Sequence, residues 1–171
     1  MDTTRGKAAP GENLLSPAEI RREVERARDL TEAGSFAEAG KCLAAILAEH
    51  PDFTAALFNY GELLVREGKD AEALPWFVRV LKREGGAVDA LNEIGLIHYR
   101  AGRFWEAETV FCDALCVDEN DARVLNNLGV LAFVQSRFAE AEDFFARAVE
   151  IDPDNEDYAV NLRDTRDELE R

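Results

Sequence analysis

The sequence predicts an all-α solenoid of stacked helical hairpins, and three observations carry that prediction. A 34-residue unit recurs four times in unbroken register, at 20–53, 54–87, 88–121 and 122–155. Within each unit the apolar residues fall at helical spacing in two separate stretches. Small residues recur at one fixed place in each stretch, which marks where two helices cross.

The first stretch covers places 1 to 14 of the unit. In unit four its apolar residues are Leu125, Leu128, Leu131 and Ala132, one stripe of a helix. Place 15 holds Gly34, Gly68, Gly102 and Ser136. Glycine accepts the left-handed dihedrals that stop a helix, so a turn is expected there. The second stretch covers places 17 to 30, with Phe138, Ala141, Phe145 and Ala148 as its stripe in unit four. Pro51 and Pro153 break the chain before the next unit. Place 8 holds Ala27, Gly61, Gly95 and Gly129, and place 20 holds Ala39, Ala73, Ala107 and Ala141. These are expected to meet at the crossing of the two helices. Place 24 holds Leu43, Phe77, Phe111 and Phe145, which are expected to fill the groove between neighbouring hairpins. A lone hairpin cannot bury both stripes, so the units must stack.

Residues 1–15 lack periodicity and are rich in turn-forming residues, so they read as a disordered tail ahead of a single domain spanning 16–171. The stretch LSPAEI starts the first helix: Ser16 as N-cap, Pro17 as first helical residue, Glu19 as capping-box partner, and Leu15 with Ile20 as hydrophobic staple. Ser35 to Glu38 repeats the capping-box pattern for the second helix. Residues 156–170 open a fifth unit that stops after one helix and read as a capping helix. Ala159 and Leu162 are expected to cover the last groove, with Asp164, Arg166, Asp167, Glu168 and Arg171 facing outward. Pro75 lies inside the second helix of unit two and is expected to kink it.

Composition excludes several functions. The net charge is −15, and residues 138–171 hold twelve acids against four bases. Such a surface repels phosphate backbones and anionic membranes, so neither is expected as a partner. The longest apolar run, Leu128 to Val134, is far short of a membrane span. The N-terminus lacks a basic-then-apolar export signal. Three cysteines at irregular spacing argue against a disulfide framework and for a reducing cytoplasm.

The chemistry-bearing residues are sparse. There is no glycine-rich phosphate loop, no Gly-x-Ser-x-Gly and no His-Glu-x-x-His. His98, at place 11, reads as a core histidine. Cys112 and Cys116 share a helix face but lack two further ligands nearby, so no metal is assigned. Cys112 reads as a small apolar packing residue and Cys116 as exposed. No carboxylate pair is set in an apolar pocket. No catalytic residue and no cofactor are assigned, and the chain is not expected to be an enzyme.

The repeat resembles the tetratricopeptide repeat family, whose 34-residue signature runs through a large residue, Leu-Gly, Tyr, Ala, Phe and Pro. Unit four matches with Leu125, Leu128-Gly129, Ala141, Phe145 and Pro153, and departs with Ala132 at the tyrosine place. Units two and three carry Leu57, Tyr60-Gly61, Ala73 and Phe77, and Leu91, Ile94-Gly95, Ala107 and Phe111, without the proline. Unit one is weakest, with Glu23 and Arg26-Ala27 replacing the apolar start. The resemblance implies a right-handed superhelix whose first helices line a concave groove. It assigns to that groove Arg21, Val24 and Arg28; Phe58, Asn59, Glu62 and Arg66; Asn92, Glu93, Leu96, Tyr99 and Arg100; and Arg123, Asn126, Asn127, Val130 and Phe133. Asparagines there suit a peptide backbone and the apolar residues suit anchors.

The implied function is a non-catalytic adaptor that binds a peptide or partner protein. Alternatives are a chaperone dedicated to one client and an accessory module of an enzyme complex such as a glycosyltransferase. Members that grip a terminal carboxylate do so from places occupied here by Val24, Arg28, Asn59, Asp89 and Glu93. Only Asn59 agrees, and two acids would repel the ligand, so no acidic C-terminal tail is expected to bind. Starting one unit later gives Phe58, Glu62, Glu93, Arg123 and Asn127, which is no better. Trp105 replaces an alanine of the other units and is expected to form a second contact or a self-association site.

Overall fold

The computed structural model describes residues 16–171. The expected tail over 1–15, and with it the Leu15 half of the staple, lies outside the described residues. Among these residues there are nine α-helices and no strand: α1 (Pro17–Glu32), α2 (Phe36–Glu49), α3 (Thr54–Arg66), α4 (Asp70–Arg83), α5 (Val88–Arg100), α6 (Phe104–Val117), α7 (Ala122–Val134), α8 (Phe138–Ile151) and α9 (Glu156–Leu169). Consecutive helices pair into four hairpins, each hairpin stacks on the next, and α9 closes against α8. The odd-numbered helices also touch one another at α1 and α3, α5 and α7, and α7 and α9, forming one face.

One turn joins every hairpin. Gly34, Gly68 and Gly102 have φ of 76°, 76° and 71°, and Ser136 takes the same left-handed conformation at 59°. The next residue then donates its N–H to a carbonyl five residues back. These bonds are Ser35 to Leu30 and Lys69 to Leu64, both 2.8 Å, and Arg103 to His98 and Arg137 to Ala132, both 2.9 Å. They satisfy carbonyls that the end of the first helix would leave unpaired. This turn also explains why the capping box expected at Ser35 does not form. Ser35 sits at ψ 54°, away from the extended geometry of an N-cap, and its side chain makes no cap bond. Lys69, Arg103 and Arg137 hold the same conformation at the same place and likewise do not cap. The box at Ser16 does form. Ser16 is extended at ψ 156°, its N–H donates to Glu19 Oε2 at 2.8 Å, and Glu19 N–H donates back to Ser16 Oγ at 3.3 Å.

The core of each hairpin is a ring set on a glycine. A methyl carbon added at Gly61 would stand 2.7 Å from Phe77 Cζ, and one at Gly129 would stand 2.6 Å from Phe145 Cε1. Gly95 and Phe111 are closer still. All three rings are buried. The small residue at place 8 therefore answers the ring at place 24 of its own hairpin, not only the alanine at place 20. Unit one swaps both members, with Ala27 facing a hairpin whose place 24 is Leu43, and both are fully buried. The rings also reach forward as expected. Phe77 packs with Ala90, Ile94 and Ile97 of α5, and Phe111 with Val124, Leu128 and Leu131 of α7.

Polar links tie hairpin to hairpin. Arg79 and Arg147, both at place 26, donate to the carbonyls of Pro51 and Glu119, both at place 32 of the preceding unit. Arg137, just ahead of α8, bridges Glu108 of α6 and Glu140 of α8 at 2.8 and 2.9 Å. At the C-terminal side, Tyr158, Thr165 and Leu162 of α9 cover the last hairpin, whereas Ala159, expected to share that role, is exposed. Arg163 stands where the last three hairpins carry glycine, and Arg166 pairs with Glu142 at 2.7 Å.

Three further residues are placed by the structure. Cys112 is exposed, not packed as expected, because place 25 faces out of the second helix; Cys116 is exposed as well. His98 is half-buried rather than core, and its Nδ1 accepts a bond from Arg103 Nε at 3.0 Å. Helix α4 runs unbroken from Asp70 to Arg83 through the exposed Pro75.

Two stability tests follow from the turn and the ring. In a roomy helix, alanine is better than glycine by about 1 kcal/mol. At Gly95 the ring reverses that sign, so Gly95→Ala should destabilise by ~1–3 kcal/mol in urea unfolding. Combining it with Phe111→Leu, the pairing of unit one, should cost less than the sum of the two single changes. Ser136→Gly should stabilise by ~0.5–1 kcal/mol, the left-handed penalty less the added freedom of the unfolded chain.

Candidate peptide-binding face

The odd helices bring the sequence-assigned residues onto one face but do not leave them equally available. The asparagines are largely spent between helices. Asn127 Nδ2 donates to Asn92 Oδ1 at 2.7 Å, and Asn161 Nδ2 donates to Asn126 Oδ1 at 2.8 Å. Each bond joins place 5 of one unit to place 6 of the next. Asn92 is only 7% exposed, so it is a rung between α5 and α7 before it is a ligand contact. Asn59 has Val24, not asparagine, at the matching place, and donates instead to the Ala55 carbonyl at 2.8 Å. Val24 itself is buried. The recurrence of asparagine at places 5 and 6 of neighbouring units was a signal for this ladder.

The arginines divide in two. Arg100 is held by both oxygens of Asp70 at 2.7 and 3.0 Å, across from α5 to the start of α4. Arg123 is held by Asp89 at 2.8 Å and Asp121 at 2.7 Å, and hydrogen bonds to Asp121 and then Asp89 raise its pKa above the ordinary value. Arg66 has no ion pair among the described residues, and Arg28 reaches only its neighbour Asp29, at 4.0 Å. Arg21 is exposed.

The rings and aliphatic residues are half-buried. Phe58 meets Phe77 edge-on at 5.4 Å, Tyr99 lies 5.9 Å from Phe104, and Phe133 meets Phe138 at 5.2 Å. Each is propped by a ring of its own hairpin and keeps one side free. Leu96 and Val130 sit at place 9 of α5 and α7, also half-buried. Val134, at place 13 of α7, is 46% exposed. It belongs to this surface and was missing from the sequence assignment, although its place in the unit would have selected it. The apolar shelf thus runs over α5 and α7.

Toward α3 the face is acidic. Glu62 and Glu93 line one cavity of about 270 Å³ with Val65 and Arg66. Both are half-buried, and among the described residues neither forms an ion pair. Burial, then the Glu93 charge, raises the Glu62 pKa, against weaker opposition from Arg66 and Arg28. Burial raises that of Glu93 too, opposed by Arg100 and Arg123 and aided by Asp89. The Glu93 carboxylate thus feels arginines whose charge is already shared with aspartates.

On the opposite surface Trp105 is 77% exposed, with Cys112, Cys116 and Val117 exposed on the same helix. Among the described residues no helix is long and apolar enough to cross a membrane, and no group of three or more His, Cys, Asp and Glu is arranged to hold a metal ion.

Stacked hairpins with an open face of odd helices define a helical-repeat protein. The particular repeat is settled by sequence: a family model described as tetratricopeptide repeat matches residues 24–87 and 93–156, and the chain belongs to that family. Tetratricopeptide repeats are, as a class, protein-interaction scaffolds. Solved structures agree on the fold. PilF of Pseudomonas aeruginosa superposes with a TM-score of 0.81 at 18% identity, covering 88% of this chain and 69% of that one. A thermophilic tetratricopeptide-repeat protein of Thermus thermophilus gives 0.76 at 19% identity, covering 88% and 82%. MamA of Desulfovibrio magneticus gives 0.74 at 19%, covering 88% and 85%. No curated protein matches the sequence.

The buried carboxylates give a pH test. A carboxyl whose pKa is raised on folding favours the native state when protonated, so it costs stability as pH rises through its unfolded value near 4.5 and on to the higher folded one. Glu62→Gln and Glu93→Gln should therefore be more stable than wild type in urea unfolding at pH 7. Their advantage should shrink as pH falls through the raised folded value toward 4.5, and be absent well below it. An advantage that persisted unchanged in acid would contradict the burial cost.

Proposed function

We propose that this chain is a non-catalytic adaptor that binds a peptide or protein segment along its odd-helix face. The observation that supports this reading best is the apolar shelf of Leu96, Tyr99, Val130, Phe133 and Val134. It crosses two adjacent helices and stays partly open, where a closed core would have covered it. Tyr99 and Phe133 are rigid anchors already backed by rings, so little ordering is lost when a ligand packs on them. Phe58 with Asn59, and Arg28 with Glu62, extend the face toward α1. The neutralised Arg100 and Arg123 and the two acids make it a poor seat for a terminal carboxylate.

Affinity capture from native lysate tests the reading. Wild-type chain is compared with the Leu96→Ser, Val130→Ser double variant and with Lys82→Ala on the opposite surface. Circular dichroism confirms that all three fold. Prey lost from the double variant and kept by Lys82→Ala is the expected result. Prey kept by all three would remove this face from the account.

Trp105 supports a second contact on the outer surface. An indole 77% exposed adds apolar area where the other units place alanine. Trp105→Ala should lower either partner recovery or the mass seen by light scattering. Unchanged values of both would dispose of this contact.

A further inference from the structure

We infer that the segment bound by the odd-helix face is basic at one end and apolar at the other, its Lys or Arg seated between Glu62 and Glu93 and its apolar residues on Leu96, Val130 and Phe133. This deepens the adaptor reading and rests on it. The argument is one of charge complementarity in an open groove. Two half-buried carboxylates, one on α3 and one on α5, face one cavity without an ion-pair partner among the described residues. No arginine of the described residues lies within ion-pair distance of either. Arg100 is taken by Asp70, and Arg123 by Asp89 and Asp121. Arg66 shares this cavity lining, and Arg28 lines a neighbouring one with Glu62 and Arg66, but both lie exposed and outside ion-pair distance of the two carboxylates.

Half-buried charge without an ion-pair partner costs folding energy, and a ligand cation entering that cavity would offset that cost at the moment of binding. An acidic or neutral segment would leave it in place. Beside the cavity the surface turns apolar within one helical turn: Glu93 and Leu96 are three residues apart on α5, hence neighbours on its surface. Val130 stands at the same place as Leu96 on α7. Packed helices lie about 8–10 Å apart. An extended chain covers that span in roughly three residues. The ligand pattern is therefore a base separated from an apolar residue by about two others. The chain's own charge of −15 favours a basic partner over a second copy.

Selection from a phage-displayed library of random twelve-residue peptides against the full chain tests this. The expected outcome is enrichment of peptides carrying Lys or Arg about three positions from Leu, Ile or Phe. Synthetic copies should weaken at least tenfold on the Glu62→Gln, Glu93→Gln double variant and weaken with added salt. Peptides that depend on Leu96 and Val130 but lack a base, or that ignore the double carboxylate variant, would overturn the ligand chemistry and leave the groove standing. Peptides indifferent to Leu96→Ser, Val130→Ser, or no enrichment at all, would overturn the groove and this inference together. A wild-type dimer dissolved by the carboxylate changes would make a second copy the occupant and overturn the partner assignment.

Discussion

A phenylalanine ring lying on a glycine holds each of the last three hairpins, and most other features follow from it. The ring at place 24 occupies the space that a side chain at place 8 would need, so the two helices of a hairpin pack as closely as a backbone and a ring allow. The same ring reaches the first helix of the next unit, so one side chain closes its own hairpin and begins the next interface. Alanine at place 20, fully buried in all four units, keeps the second helix tight against the first. The left-handed turn fixes the register in which ring and glycine meet. Unit one reaches a similar fit with a different division of volume, Ala27 and Leu43. Shape, more than identity at either place, is what the stack requires.

This packing consumes one set of polar residues and frees another. With the second helices committed to rings and interhelical arginines, the first helices turn a continuous row of side chains outward. Much of that row is already satisfied. Asparagine bonds to asparagine along the row, and two arginines are matched by aspartates at the starts of α4 and α5. What remains is uneven: carboxylates without an ion-pair partner among the described residues over α3 and α5, and an apolar shelf over α5 and α7. A surface that tolerates both burial of charge and exposure of apolar area is badly optimised for stability alone. Such residues are commonly retained for binding.

The architecture was legible in the sequence because the repeat is both a pattern and a constraint. The expected helices at places 1–14 and 17–30 agree with α3 to α8 to within one residue at their ends. Local chemistry was legible where nothing competed with it, as at Ser16. It failed at Ser35, where the hairpin turn dictates a ψ that the capping serine cannot share. Periodicity could place Gly95 opposite the second helix but not tell whether Ala107 or Phe111 would meet it, since both lie on the inward stripe. The residues assigned to the groove share the odd-helix face but are not equally available. Whether Asn92 or Arg100 is free depends on partners about thirty residues away, Asn127 and Asp70, that a single helix does not reveal. Val134 extends an apolar run that reads as core, although its place in the unit is that of Arg66 and Arg100.

The contact on which this structure depends can be observed directly by nuclear Overhauser spectroscopy. The α-protons of Gly61, Gly95 and Gly129 should show strong cross-peaks to the ring protons of Phe77, Phe111 and Phe145, each within its own hairpin, with upfield ring-current shifts. Cross-peaks only to a ring of a neighbouring hairpin, or none, would contradict the account.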